Sequence, residues 1–130
     1  MKRKVNGLTK FNTCNVNNIS VMFYSCYEIE NLDLSSFDTS QVTDMRGLFF
    51  CCKKLKEIRG ITKFNTSNVN NMEAMFQGCN EIESLDLSNF DTKNVTNMDN
   101  LLVNCNKLKF VKGFKDYNIG KTIQKKGKNK

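Results

Sequence analysis

Apolar and polar positions recur along this chain with a period of about 26 residues. Phe11, Phe37, Phe64, Phe90 and Tyr117 mark successive repeats, and every second repeat is longer than its neighbour by a single residue. Each of the four phenylalanines is followed by a valine after five residues and by a cysteine after fifteen. Self-similarity at this period predicts a repeat array, in which each repeat buries its apolar face only against the next one.

Two shorter periods inside one repeat predict its secondary structure. Met45, Leu48, Phe49 and Cys52 follow the i, i+3, i+4, i+7 spacing of one helix face, with Thr43 placed as the N-cap. Residues 32–34 and 85–87 alternate apolar, polar, apolar, which predicts short strands with one buried face. Together they predict an α/β solenoid of about four coils, with a short parallel sheet on one face and short helices on the other.

Glycine accounts for the alternation in repeat length. The longer repeats carry one extra residue, which is Gly7, Gly60 or Gly113. We interpret each as a bulge residue at positive φ, a conformation that costs glycine nothing. The repeating unit is therefore a pair of repeats, and residues 11–63 match residues 64–116 at about half of their positions.

The polar residue of each predicted strand forms a row with alternating charge. Its members are Asn6, Asp33, Arg59, Asp86 and Lys112. Opposite charges on adjacent strands attract, so we interpret the row as exposed on the sheet face and self-neutralising.

Two segments carry a family resemblance. Residues 85–98 (LDLSNFDTKNVTNM) and 68–79 (NVNNMEAMFQGC) resemble the bacterial surface protein (BspA-like) repeat of about 26 residues, a relative of the leucine-rich repeats. The resemblance covers residues 5–117 and implies a leucine-rich-repeat-like, right-handed solenoid. It implies a cell-surface or adhesin-type bacterial protein and no catalytic residues.

Charge divides the chain into a body and two basic ends. The formal net charge is +7, yet residues 5–120 hold 12 cations against 13 anions. The excess lies in residues 1–4 and in a tail with Lys121, Lys125, Lys126, Lys128 and Lys130. We therefore predict a basic N-terminal end (1–4), one repeat domain (5–119; repeats 11–36, 37–63, 64–89 and 90–116) and a basic, disordered tail (120–130).

Cysteine usage favours a structural role. Four of the six cysteines share one repeat position: Cys26, Cys52, Cys79 and Cys105. A zinc site needs converging ligands, whereas one residue per repeat forms a line, and the chain has no histidine. We therefore predict a buried, reduced ladder with neither metal nor cofactor. Cys14 and Cys51 lie off the ladder and are predicted to be exposed or half exposed, with a redox role as the alternative.

Repeated acidic and amide residues have two interpretations. Two repeat positions hold only acidic or amide residues, namely Asn12, Asp38, Asn65 and Asp91 at the first and Asn18, Asp44, Asn71 and Asn97 at the second. Their side-chain oxygens suit either calcium binding between repeats or hydrogen bonding to backbone donors. We favour the second interpretation. The pairs Glu28/Glu30 and Glu81/Glu83 are repeat copies, so we interpret them as a solvated edge rather than an acid/base pair.

The favoured function is a non-enzymatic module for protein–protein interaction. Candidate partner contacts are the charged strand row and residues that break the repeat, namely Tyr24, Tyr27, Phe50 and Phe110. The other interpretation of Phe50 and Phe110 is packing against a neighbouring loop. The partner protein is unidentified, and end-to-end self-association is expected because the terminal repeats lack dedicated caps. The alternative function is binding of nucleic acid or an anionic membrane through the basic tails.

The sequence also carries an expectation about location. No apolar segment approaches the roughly 20 residues of a membrane helix, and no apolar signal core follows the basic N-terminus. As written, the chain is expected in the cytoplasm. A cell-surface location is expected if it is a fragment of a longer exported protein.

Overall fold

A computed structural model describes residues 7–113 of the chain. The predictions for the basic N-terminal end, for Asn6 and for the lysine tail lie outside these residues. Four short strands are present: β1 (Asn31–Asp33), β2 (Glu57–Arg59), β3 (Ser84–Leu87) and β4 (Phe110–Gly113). Two short 3₁₀-helices, Leu8–Lys10 and Ile61–Lys63, complete the regular structure of this region.

The strands form two separate sheets. β1 pairs in parallel with β2, and β3 pairs in parallel with β4. The alternating segments 32–34 and 85–87 do contribute to strands, as their pattern predicted. Between the two pairs, Gly60 and the 3₁₀-helix Ile61–Lys63 follow β2, and the described residues contain no sheet that joins all four strands.

The predicted helices are absent from residues 7–113, where no α-helix occurs. The predicted leucine-rich-repeat-like α/β solenoid, with a helical side and one sheet, is therefore wrong. The segments with helical spacing form successive turns instead. Residues at two positions of each repeat, four residues apart, have positive φ, which is incompatible with a right-handed helix. They are Val21, Gly47, Ala74 and Asn100 at the first position, and Ser25, Cys51, Gly78 and Asn104 at the second.

Backbone hydrogen bonds explain why turns replace helices. In the first repeat, Met22 N–H donates to the Ile19 carbonyl three residues earlier, whereas Val21 N–H donates to Arg46 O at 2.8 Å, in the next repeat. The same alternation continues along the turn segments of the first three repeats, because every second N–H donates to the next repeat. Half of the donors are thus withdrawn from the i to i−4 ladder that an α-helix needs. The predicted N-cap Thr43 instead bonds Asn17 O through its N–H at 2.8 Å and its hydroxyl at 3.2 Å.

The hydrophobic core lies between these turn segments and the strands. The residues with helical spacing are buried as expected: Met45, Leu48, Phe49 and Cys52 are all 0% exposed. The Phe49 ring is stacked between Phe23 and Phe76, with centroid separations of 5.9 and 5.4 Å. The spacing therefore predicted burial correctly and conformation incorrectly.

Buried threonines connect neighbouring repeats. The Thr66 hydroxyl donates to Asp91 O at 3.0 Å and accepts from Asp91 N–H at 2.8 Å. Thr39 makes the same pair of bonds to Asn65, and Thr13 makes it to Asp38. A hydroxyl suits this position because it is both donor and acceptor.

Glycine is required where β2 and β4 approach the preceding repeat. Gly60 has φ 93°, and a Cβ at this residue would lie 2.5 Å from the Cα and N of Ser35. Gly113 is similarly close to Leu87. The prediction of positive φ at both glycines is confirmed. No helix within residues 7–113 has the length and apolarity to cross a membrane.

Candidate protein-binding surface

Tyr24 and Phe50 form a stacked aromatic pair on the surface of the turn segments. Ser25 N–H donates to Phe50 O at 2.7 Å, which aligns the first turn segment with the second. Residues 24 and 50 consequently lie side by side, with ring centroids 4.9 Å apart and an interplanar angle of 9°. Tyr24 is 55% exposed and Phe50 is half-buried.

A shallow groove of about 230 Å³ continues from this pair towards the third repeat. Arg46 Nε donates to Glu73 Oε1 at 3.2 Å beside the groove. An ion pair this exposed contributes little stability, but it orients the guanidinium on a groove that the aromatic rings also line. We call this surface the aromatic turn face and define it by Val21, Tyr24, Arg46, Phe50, Glu73 and Gln77.

Tyr27 is also exposed, three residues after Tyr24. The Lys53 ammonium lies 5.1 Å from the centroid of its ring, within the range of a cation–π interaction. Lys53, Arg46 and Glu73 were not among the residues predicted from the sequence. The available signal was the repeat period itself, since Lys53 lies at the position equivalent to Tyr27, and Glu73 at the position equivalent to Arg46, one repeat further along the chain.

The fourth aromatic candidate lies elsewhere. Phe110 is 60% exposed and belongs to β4, where its register partner is Ser84. The structure thus brings Tyr24 and Phe50 together but places Phe110 on a strand.

The charged strand row forms two pairs. Asp33 is in register with Arg59, and Asp86 is in register with Lys112. Hydrogen bonds from the Ser88 hydroxyl and N–H, with a smaller effect of Lys112, lower the pKa of Asp86. Asp33 and Asp86 each accept hydrogen bonds from the serine two residues ahead, which makes the row a weak candidate for binding a partner's charge.

The duplicated glutamates also have partners. Lys54 Nζ is 3.1 Å from Glu28 Oε2, and Lys109 Nζ is 3.0 Å from Glu83 Oε1, one repeat away in each case. A hydrogen bond from Lys107 lowers the pKa of Glu81. These carboxylates form ion pairs with the neighbouring repeat and are not arranged as an acid/base pair.

The cysteine column runs through the interior. Cys52, Cys79 and Cys105 are buried, and each thiol donates to a phenylalanine carbonyl of the preceding repeat. Cys26 is half-buried, and all six cysteines are free thiols. Burial raises the pKa of Cys52 to about 12 and that of Cys79 well above its ordinary value, so both thiols are poor nucleophiles. Of the residues outside the column, Cys14 is exposed and Cys51 is half-buried.

Acidic and amide side chains satisfy local backbone donors, as we predicted. Asp44 Oδ1 accepts from Arg46 N–H at 2.9 Å, and Asn71 Oδ1 accepts from Glu73 N–H at 3.0 Å. Asn12, Asp38, Asn65 and Asp91 make the equivalent bond two residues ahead. Within the described part of the chain, no group of three or more acidic or cysteine side chains is arranged to hold a metal ion.

Comparison with known proteins gives one match. The profile of a family described as "Mycoplasma protein of unknown function, DUF285" matches residues 24–127. No curated protein and no solved structure matches the chain.

Proposed function

We propose that this chain, which belongs to the DUF285 family of Mycoplasma proteins of unknown function, is a non-enzymatic module that binds a partner protein through its aromatic turn face. The observation that carries the proposal is the exposed, stacked pair of Tyr24 and Phe50. Tyrosine and arginine are enriched among the residues that dominate interface energies, and Arg46 lies on the same face.

The repeat symmetry supports a binding role for this pair. Its sister positions, two repeats further along the chain, hold Gln77 and Val103. The fold therefore tolerates a polar residue and a smaller apolar residue at these positions. Aromatic rings in the first two repeats are not needed for packing, which favours a contact role.

The chemistry of the described residues supports a module without catalysis. The buried thiols hold their protons, and the duplicated glutamates are paired with lysines. The buried threonines and the acidic and amide side chains make the same structural hydrogen bonds in successive repeats. We further propose that the chain is a BspA-like repeat protein, with a role at the bacterial surface, on the resemblance of residues 68–79 and 85–98.

The test exchanges residues between sister repeats. The double variant Tyr24→Gln/Phe50→Val carries the sister residues, so the fold is expected to persist. The full chain and this variant are immobilised and exposed to extracts of the source cell, and the retained proteins are quantified by mass spectrometry. We expect a protein that the native chain retains and whose affinity for the double variant is about tenfold or more weaker.

Two controls make the result specific. Thr62→Ala changes an exposed residue of the 3₁₀-helix Ile61–Lys63 and is expected to retain the same protein. Gln77→Tyr/Val103→Phe places the aromatic pair in the third and fourth repeats and shows whether its position matters. Identical sets of retained proteins from the native chain and the Tyr24→Gln/Phe50→Val variant would disprove the proposal.

A further inference from the structure

The two ends of the array present complementary backbone edges. Every second N–H of a turn segment donates to the next repeat, as in Met72 N–H to Asn97 O at 2.8 Å. The first repeat therefore has carbonyls that accept no hydrogen bond from residues 7–113, and the fourth has N–H groups that donate none within the same range. The acceptors are Asn18, Ser20, Met22 and Tyr24, and the donors are Met98, Asn100, Leu102 and Asn104.

Apolar side chains are exposed at the first repeat where their sister residues are buried. Phe11 is 53% exposed, whereas Phe64, at the equivalent position of the third repeat, is 2% exposed. Met22 is 38% exposed, and its equivalent Met75 is 0% exposed. With Val16 and Ile19, Phe11 and Met22 line an open groove of about 590 Å³.

The first repeat keeps the conformation of an internal repeat. Gly7 has φ 88° and ψ −3° before its 3₁₀-helix, and Gly60 has φ 93° and ψ −3° before the corresponding one. Terminal repeats that close an array have a polar outer face. The outer face of the first repeat instead exposes Phe11 and Met22, so this repeat is built like one that has a neighbour.

We propose that a second copy of this chain occupies this edge, with the fourth repeat of one molecule docked on the first repeat of the next. The proposed contact copies the boundary between the second and third repeats. The fourth repeat is equivalent to the second, and the first is equivalent to the third, because the repeating unit is a pair of repeats. At that boundary Met45, Gly47, Phe49 and Cys51 donate through their N–H groups to Asn71, Glu73, Met75 and Gln77. In the assembly Met98, Asn100, Leu102 and Asn104 donate to Asn18, Ser20, Met22 and Tyr24 of the second copy.

Side chains at the two edges match this arrangement. Val95 is half-buried, whereas its sister Val42 is 1% exposed, so the fourth repeat also has apolar surface to bury. Arg46 and Glu73 form an ion pair at the internal boundary. Their equivalents at the proposed contact are Asp99 of one molecule and Ser20 of the second copy. The contact is heterologous, so it generates open chains or closed rings of molecules rather than a two-fold symmetric dimer.

Substitutions that change the charge at this contact test the proposal without disrupting the fold. Within one molecule Ser20 and Asp99 lie in the first and fourth repeats, roughly 14 Å apart at a strand spacing of about 4.8 Å per repeat. A strong energetic coupling between them therefore requires two molecules. Ser20→Asp places two carboxylates together and is expected to weaken association about two- to fivefold, and Ser20→Lys is expected to strengthen it by a similar factor.

Sedimentation velocity of the full chain over a range of concentrations measures the effect. The native chain is expected to form larger species as concentration rises, and Ser20→Asp/Asp99→Lys is expected to recover the association lost in Ser20→Asp. Phe11→Glu is expected to weaken association about tenfold or more, since it places a charge in the apolar groove.

Thr62→Ala, at an exposed residue of the second repeat outside both surfaces, is the control and is expected to associate like the native chain. A strict monomer at all concentrations would overturn the proposal, as would association that is insensitive to both Phe11→Glu and Ser20→Asp. Because Phe11 and Ser20 lie outside the aromatic turn face, their variants test self-association alone, so loss of partner binding and loss of self-association are distinguishable.

Discussion

The Sγ atom of Cys79 lies 3.2 Å from the carbonyl oxygen of Phe49, which belongs to the preceding repeat. The thiol is fully buried and donates to that oxygen, so one small side chain both fills the interior and satisfies a backbone acceptor. The same contact recurs at Cys52 and Cys105.

Removing this thiol is expected to destabilise the protein. Cys79→Ala deletes a buried atom and leaves the Phe49 carbonyl without its sulfur donor, at a cost of about 2 kcal/mol. Urea denaturation followed by circular dichroism measures the change. Cys14→Ala, at an exposed residue, is the control and is expected to change stability by less than about 0.5 kcal/mol.

Alkaline pH is expected to weaken the fold through the buried thiols. Burial raises the pKa of Cys52 from its ordinary value of 9.0 to about 12, so the unfolded chain loses this proton at lower pH than the folded protein does. The stabilisation is fully present below about pH 9 and declines as pH rises towards 12.

Denaturation midpoints at about pH 8 and about pH 10.5 measure this dependence. The slope is expected to persist in Cys14→Ser and to decrease in Cys52→Ala. An equal slope in both variants would assign the alkaline sensitivity to other groups.

Alanine substitutions at Gly60 and Gly7 separate two effects of an added methyl group, namely strain at positive φ and a steric clash. Gly60→Ala combines positive φ with a Cβ that would lie 2.5 Å from Ser35, and we expect a loss of about 3 kcal/mol or more. Gly7→Ala is a matched control, because φ is 88° but, its chain neighbours aside, no atom of the described residues lies within 4 Å of the added Cβ. It is expected to cost about 1 kcal/mol, and equal losses in the two variants would contradict the steric contribution.

The buried Thr66 hydroxyl is expected to contribute more to the free energy of unfolding than the hydroxyl of Thr92 in the fourth repeat. Thr66→Val leaves both the N–H and the carbonyl of Asp91 without this partner and is expected to cost about 2 to 4 kcal/mol. Thr92 occupies the same repeat position, but its hydroxyl makes no hydrogen bond within residues 7–113. Thr92→Val is therefore expected to cost less than about 1 kcal/mol at concentrations where the chain is monomeric, as measured by urea denaturation.

The turn segments show what the apolar pattern could and could not predict. The i, i+3, i+4, i+7 spacing identified Met45, Leu48, Phe49 and Cys52 as interior residues, and all are fully buried. Spacing alone does not specify which backbone donors turn towards a neighbouring repeat. A signal against helices was present, because Gly47 and Gly78 interrupt the predicted helical segments and both adopt positive φ.

The sheets and the binding surface show the same limit. Alternation in residues 32–34 and 85–87 located two strands, but it could not show that pairing stops after β2, where Gly60 begins a 3₁₀ turn. Departures from the repeat identified Tyr24 and Phe50 as unusual. Their contact depends on register between repeats, as does the position of Arg46, and neither follows from composition.

The equivalence of the internal boundary and the two outer edges has an evolutionary consequence. A gene segment that encodes one pair of repeats can be duplicated or deleted in frame, and every new junction reproduces a contact that the protein already makes. Unequal recombination could therefore change the length of such a protein in single steps without a search for compensating substitutions. Length polymorphism among related genes, in increments of this pair, is the expected signature.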